Sequence, residues 1–76
     1  MRLNELEPGK SAIVLDILSK GLFKKRLLEM GLTPHTKVIC QKGGTFQDPM
    51  KLMLRNYVLT IRKSDAQMVL IEEIKS

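Results

Sequence analysis

A period-two alternation of apolar and polar residues over positions 50–62 is the feature that most limits the possible folds. One phase is apolar throughout and contains Met50, Leu52, Leu54, Leu59 and Ile61. The other phase is mainly polar and contains Lys51, Met53, Arg55, Val58, Thr60 and Arg62. Alternation of this kind is typical of two antiparallel strands that place one face on a core. Asn56-Tyr57 lies between the two runs and predicts a two-residue turn, because asparagine tolerates a positive φ.

Three further strands are predicted from runs of aliphatic and β-branched residues. The first spans Lys10 to Leu18, and its dense apolar run predicts burial on both faces. The second spans Thr36 to Lys42 and places Val38 and Cys40 on the same face. The last spans Met68 to Ile74. A glycine-rich loop over residues 43–49 connects the second strand to the alternating segment.

One helix is predicted between the first two strands, from Gly21 to Met30. At 100° per residue its apolar stripe consists of Phe23, Leu27 and Met30. Gly31 supplies the left-handed residue that ends many helices, and Leu32 is expected to fold back on Leu27 in a Schellman motif.

Two smaller elements complete the pattern. Ser64–Gln67 predicts a single helical turn with Ser64 as its N-cap. Leu3 and Leu6, in the N-terminal arm, are expected to pack on the body of the domain. Together these segments predict a mainly β fold, a small SH3-like barrel of about five antiparallel strands with one short α-helix between the first two.

The composition limits the size and the compartment of the protein. Seventy-six residues predict a single domain over 1–76, and 43% hydrophobic with 28% charged residues is ordinary for a globular chain. Cys40 is the only cysteine, which excludes an intrachain disulfide and fits a reducing compartment. The first eight residues are too polar for a signal peptide, and no apolar run approaches the roughly 20 residues that span a bilayer. We therefore expect a cytoplasmic protein that reaches a membrane only through a partner.

The inventory of reactive side chains argues against catalysis and against metal or cofactor binding. His35 and Cys40 are the single representatives of their types, and no base lies beside the thiol. Cys40 shares the phase of Val38 and is expected in the core, while His35 lies in a polar turn and is expected in solvent. Glu72-Glu73 point to opposite faces of a strand, and no segment shows metal-ligand spacing. We predict no catalytic residue, no metal site and no cofactor.

The order of these motifs resembles the FeoA family. A Pro-Gly turn and a strand precede residues 26–34, which read RLLEMGLTP. A strand, a glycine-rich loop, Asp48-Pro49 and a hairpin follow, and residues 59–62 read LTIR before Ala66. The chain also resembles the C-terminal SH3-like domain of repressors of the diphtheria toxin repressor type. His35 and Asn56 stand where the family usually has glycine, and both can take a left-handed conformation.

The resemblance implies a non-catalytic cytoplasmic accessory of bacterial ferrous iron uptake. FeoA-like proteins are taken to modulate the FeoB transporter through its cytosolic GTPase region. The repressor relatives use the same fold as an interaction module. The family carries no catalytic residue that could be transferred to this chain.

A protein-binding surface is the remaining prediction from the residues themselves. Apolar residues rimmed by positive charge suit a partner contact, and the candidates are Leu22, Lys24, Lys25, Leu28 and Met53. The alternative is structural: Leu22 and Leu28 would wedge the helix between loops.

The net charge of +5 leaves a nucleic-acid-binding barrel as the rival function. Three aromatic residues, Phe23, Phe46 and Tyr57, disfavour it because they supply few stacking platforms. Self-association as a weak homo-oligomer also stays open.

Overall fold

The computed structural model describes residues 1–41 and 48–75 and contains five strands and two α-helices. The elements are β1 (Ser11–Ile17), α1 (Gly21–Glu29), β2 (Lys37–Cys40), β3 (Met50–Leu54), β4 (Tyr57–Ile61), α2 (Lys63–Ala66) and β5 (Val69–Ile74), preceded by a 3₁₀ turn at Leu3–Glu5. All strand pairs are antiparallel, and the sheet order is β4-β3-β2-β1-β5. The predicted mainly β architecture, with one helix between the first two strands, is confirmed. The predicted loop over 43–49 lies outside the described residues except for Asp48 and Pro49.

The core is aliphatic and lies on the inner face of the sheet. Its largest fully buried side chains are Leu3, Leu27, Leu32, Met50, Leu52, Leu54 and Ile71. Within residues 1–41 and 48–75, no polar or charged residue is buried. Hydrophobic burial is therefore the dominant favourable contribution to the fold.

The alternation predicted for β3 and β4 is confirmed. Met50, Leu52 and Leu54 are buried, and the residues between them point outward. In β2 the same alternation buries Val38 and Cys40, so the predicted core position of the cysteine is also correct.

The prediction that β1 is buried on both faces is wrong. Ala12 and Val14 are buried, but Leu15 is 41% exposed. The pairing of β1 with β5 passes from Val14 to Asp16 and leaves Leu15 without a partner residue, which is a β-bulge. A bulge turns the side chains that follow it to the other face, and the apolar run therefore does not mean two buried faces.

The hairpin turn lies one residue earlier than predicted. Leu54 pairs with Tyr57, so the turn residues are Arg55 and Asn56, and Tyr57 is the first residue of β4. The positive φ belongs to Arg55, at 32°, and not to Asn56. In this register the Tyr57 hydroxyl contacts the Met30 carbonyl oxygen at the end of α1.

The end of α1 has the predicted Schellman geometry. Gly31 has a φ of 108°, and its N–H donates to the Leu28 carbonyl at 3.0 Å. The Leu32 N–H donates to the Leu27 carbonyl at 3.2 Å. These two bonds satisfy carbonyls that the helix leaves free and bring two buried leucines together. His35, in the turn that follows, is exposed and has a φ of 73°.

The predicted N-cap of the second helix is wrong. α2 begins at Lys63 with Arg62 in the cap position, and Ser64 makes no capping hydrogen bond. The Lys63 N–H instead donates to Asp48 Oδ1 at 3.1 Å. A side chain from another part of the chain thus satisfies a free donor at the helix start.

The N-terminal arm packs as predicted and covers one edge of the sheet. Leu3 and Leu6 are buried. Arg2 bridges to Leu70, and the Ile71 N–H donates to the Met1 carbonyl at 2.8 Å. The outer edge of β5 is therefore paired along part of its length.

Candidate interaction surface

The outward side of α1 carries the most exposed large apolar residue among the described residues. Leu22 is 81% exposed, in the first turn of the helix. Burial of such a side chain against a partner lowers the free energy of the complex. The structural alternative for Leu22, that it wedges the helix against a loop, does not hold at this exposure.

A shallow depression runs along the same side of the helix. It has a volume of about 400 Å3 and is lined by Leu22, Lys25, Arg26, Glu29 and Met30. We call this the helix groove. Its apolar ends are Leu22 and the half-buried Met30, and two cations and one carboxylate lie between them. The groove therefore offers two apolar contact points with charged side chains between them, a mixture that also occurs in protein contacts.

The other predicted helix residues lie differently. Lys25 is exposed in the helix groove, while Lys24 is half-buried. Leu28 is half-buried and packs against the core. Leu28 therefore contributes to the core and does not line the helix groove. On α1, Leu22 and Lys25 thus face solvent, whereas Leu28 faces the core.

Met53 lies on a second surface. It is 39% exposed on the outward face of β3, and it pairs with Ile39 on β2 and Val58 on β4. A groove of about 510 Å3 passes over Met53, Ile39 and Arg55, and it shares no residue with the helix groove. The five candidate residues consequently do not form one patch.

Sequence reasoning missed the row of apolar residues that crosses the outer face of β2, β3 and β4. We call Ile39, Met53 and Val58 the cross-strand row. Val58 is 50% exposed and Ile39 is half-buried. The alternation predicts an outward position for each residue separately, but their alignment depends on strand register, which pairs distant parts of the chain.

The single thiol is not available for chemistry. Cys40 is buried, and its Sγ lies 3.9 Å from the Gln41 carbonyl oxygen. Burial raises the pKa of the Cys40 thiol, and the charge of Lys63 lowers it by a smaller amount. A buried thiol with a raised pKa has little of the thiolate that nucleophilic attack requires.

The part of the chain that the structure describes shows neither a metal-ligand cluster nor a membrane-spanning helix. No group of three or more His, Cys, Asp or Glu side chains is placed to hold a metal ion there. No helix in residues 1–41 and 48–75 is long and apolar enough to cross a membrane.

The fold and these surfaces define a small SH3-like β-domain with two grooves that mix apolar and cationic side chains. The FeoA domain family matches residues 1–73. The chain therefore belongs to the FeoA family, and the resemblance drawn from its motifs is confirmed.

A curated relative contains a similar domain inside a much longer protein. The chain is 32% identical over all 76 residues to the Fe(2+) transport protein A/Fe(2+) transporter FeoB fusion protein of Porphyromonas gingivalis (strain ATCC BAA-308 / W83). It spans 9% of the length of that relative.

Solved structures share the fold over nearly the whole chain. The FeoA-like protein of Clostridium acetobutylicum is 29% identical, with a TM-score of 0.88 over 100% of this chain and 88% of that chain. The zinc-complexed FeoA of Stenotrophomonas maltophilia, described as a prokaryotic SH3 domain protein, is 24% identical, with a TM-score of 0.81 over 95% of this chain and 89% of that chain. IdeR of T. acidophilum shows the same fold in part of its length, with 16% identity and a TM-score of 0.83 over 97% of this chain and 34% of that chain.

Proposed function

We propose that this domain is a non-catalytic cytoplasmic accessory of bacterial ferrous iron uptake, which binds and modulates a FeoB-type transporter through its cytosolic GTPase region. The observation that carries the proposal is the fusion relative, in which a domain similar to this entire chain is joined to FeoB. Membership of the FeoA family supports the same role.

A fusion favours an interaction between its parts. Domains joined by a short flexible linker meet at an effective concentration on the order of millimolar. At that concentration a modest surface of complementary charge and apolar area is occupied for most of the time. We therefore expect a contact of moderate affinity when this domain and the transporter region are mixed as separate proteins.

The helix groove is the surface that we assign to this contact. Leu22 supplies an apolar side chain that the fold leaves in solvent, and Lys25 and Arg26 supply positive charge beside it. The matching region of the partner should present an apolar pocket with carboxylates at its rim. Leu28, which packs inward, is not part of the proposed contact.

The test is a titration of the purified domain with the soluble GTPase region of a cognate FeoB-type transporter. An unrelated single-stranded RNA serves as the parallel ligand. Leu22→Asp is the interface variant, because it replaces the exposed apolar side chain of the helix groove with a carboxylate. Leu15→Asp is the matched control, since Leu15 is also exposed but lies on the β1 bulge.

We expect saturable binding to the GTPase region, lost at least tenfold in Leu22→Asp and retained in Leu15→Asp. Moderate salt should weaken the binding without abolishing it, because part of the contact is apolar. Binding only to RNA, with a steep dependence on salt, would assign the chain to the nucleic-acid class instead. Equal losses in both variants would remove the helix groove from the contact.

A further inference from the structure

The two edge strands of the sheet differ in whether their outer backbone groups are paired. β5 is paired along part of its outer edge by the N-terminal arm, through Arg2 and Met1. β4 is the opposite edge strand, and no strand pairs with its outer side within residues 1–41 and 48–75. An edge strand presents N–H and C=O groups that another extended chain can pair with.

The register identifies which backbone groups face outward. The Gln41 N–H donates to the Lys51 carbonyl at 2.9 Å, so the backbone of Lys51 points toward β2. Hydrogen-bonded and non-hydrogen-bonded pairs alternate along an antiparallel ladder. Thr60 lies opposite Lys51, and Val58 lies opposite Met53, two residues along. The N–H and C=O groups of Val58 and Thr60 therefore point away from β3, to the open side.

β4 lacks the features that usually protect such an edge. Natural edge strands carry charges, prolines or bulges that block pairing with another chain. Tyr57–Ile61 contains no charged residue and no proline, and its register with β3 is continuous from Ile61 to Tyr57. Valine, threonine and tyrosine also favour extended structure. The segment is thus well suited to strand addition.

The side chains on the outward face of β4 and its neighbours determine which side chains an added strand should carry. Val58 continues into the cross-strand row, which is apolar. On the same face of β4 the next position is Thr60, with Lys51 across from it, and Arg62 follows one residue beyond the end of the strand. From Asp48 to Asp65 the chain has four cations, Lys51, Arg55, Arg62 and Lys63, against two carboxylates, Asp48 and Asp65, which leaves an excess of positive charge. Complementary charge on an added strand is therefore negative.

We propose that the open edge of β4 binds an extended acidic segment of a partner protein by strand addition. The segment places an apolar side chain beside Val58 and carboxylates at the two following same-face positions, beside Thr60 and Arg62. Its backbone pairs with the outward groups of Val58 and Thr60, and its side chains supply the specificity. A second copy of β4 is a poorer occupant, because it would bring Arg55, Arg62 and Lys63 and no carboxylate of its own to an edge that is already cationic.

This inference concerns how a partner is held and does not depend on which protein supplies the segment. The probe is a blocked heptapeptide, Thr-Val-Thr-Glu-Thr-Glu-Thr, tested with its reversed sequence so that both strand directions are sampled. The readout is the exchange of individual backbone amides with solvent, followed by NMR on the whole chain. A peptide with the same side chains and N-methylated amides is the backbone control, since its backbone cannot donate hydrogen bonds and its N-methyl groups obstruct strand pairing. A peptide with lysine in place of glutamate is the charge control.

We expect the acidic peptide to slow exchange of the Val58 and Thr60 amides at least tenfold at saturation. The N-methylated and lysine peptides should leave those amides unchanged. Val58→Lys should weaken binding at least tenfold, because it places a cation in the apolar contact, while Leu15→Lys should bind as the unsubstituted chain does. Thr60→Pro, which removes one outward N–H and no β3 pairing, gives a second variant with the same expected loss.

Equal binding of the N-methylated peptide, or slowed exchange confined to other strands, would overturn the proposal, as would no response to either acidic sequence. Leu22→Asp should leave peptide binding intact. Failure of the GTPase titration with success of the peptide would refute the transporter proposal alone, and the reverse result would refute the strand-addition proposal alone.

Discussion

The Tyr57 hydroxyl donates a hydrogen bond to the carbonyl oxygen of Met30 at 2.7 Å and so joins the β3–β4 hairpin to the end of α1. The Met30 carbonyl lies beyond the last helical residue, where the helix itself provides no partner. Tyr57 thus connects α1 to β4. The first element carries the helix groove and the second is the edge strand of the sheet.

Removal of that hydroxyl should loosen the connection at a modest loss of stability. We expect Tyr57→Phe to lower the free energy of unfolding by about 1 kcal/mol or less, because the bond is partly open to solvent. Urea unfolding measures the difference. Ser64→Ala is the control, since it removes an exposed hydroxyl without a capping role. An equal effect of both substitutions would show that the Met30 contact does not contribute.

Gly31 should tolerate substitution much less well than Gly21. Both have a positive φ, 108° and 71°, so alanine is strained at either position. A Cβ on Gly31 would also collide with the Tyr57 hydroxyl and lie 3.2 Å from Leu54 Cδ2, while nothing lies within 4 Å of one on Gly21. We expect Gly31→Ala to lose about 2 kcal/mol or more and Gly21→Ala about 1 kcal/mol. Thermal unfolding of both variants is the measurement, and a larger loss in Gly21→Ala would contradict the assignment.

The start of α2 should depend on Asp48 and not on Ser64. Asp48→Ala leaves the Lys63 N–H without its side-chain acceptor and should cost about 1 kcal/mol. Ser64→Ala should change the unfolding free energy by less than about 0.5 kcal/mol. Chemical denaturation of the two variants decides between them, and the reverse order would restore Ser64 as the cap.

Stability should fall at alkaline pH because of Cys40. The pKa of the thiol is raised by burial in the folded state, so the unfolded state loses its proton first as pH rises. The stabilising contribution is complete below the pKa of an unfolded thiol, about 8.5, and declines above it. The comparison with Cys40→Ala removes the effect of the other titratable groups. We expect the stability advantage of the unsubstituted chain to shrink from pH 8 to pH 10, and a constant advantage would contradict the burial effect.

Local sequence patterns were sufficient where a single stretch of chain determines the outcome. The period-two pattern of apolar residues predicts the alternation of β3 and β4, and Gly31 followed by Leu32 predicts the end of α1. Cys40 followed from the phase of Val38. These features arise from neighbours in sequence, so they could be read before any tertiary contact was known.

The incorrect predictions all involve contacts between distant residues. The exposure of Leu15 depends on pairing with β5, more than fifty residues later. The observed turn register is accompanied by the contact of Tyr57 with Met30, and the start of α2 involves Asp48. For the site, the exposure of Leu22 agreed with the prediction, whereas Leu28 turned out to pack on the core and Met53 to lie on another surface. Such placements require the packed fold, because sequence spacing does not define them.

The most direct test of the proposed role is ferrous iron uptake by cells that contain a cognate FeoB-type transporter with and without this chain. We predict that loss of the chain changes the uptake rate at equal transporter abundance. The chain and its Leu15→Asp variant should restore the original rate, and Leu22→Asp should not. An uptake rate that is the same with and without the chain would contradict its role as an accessory of the transporter.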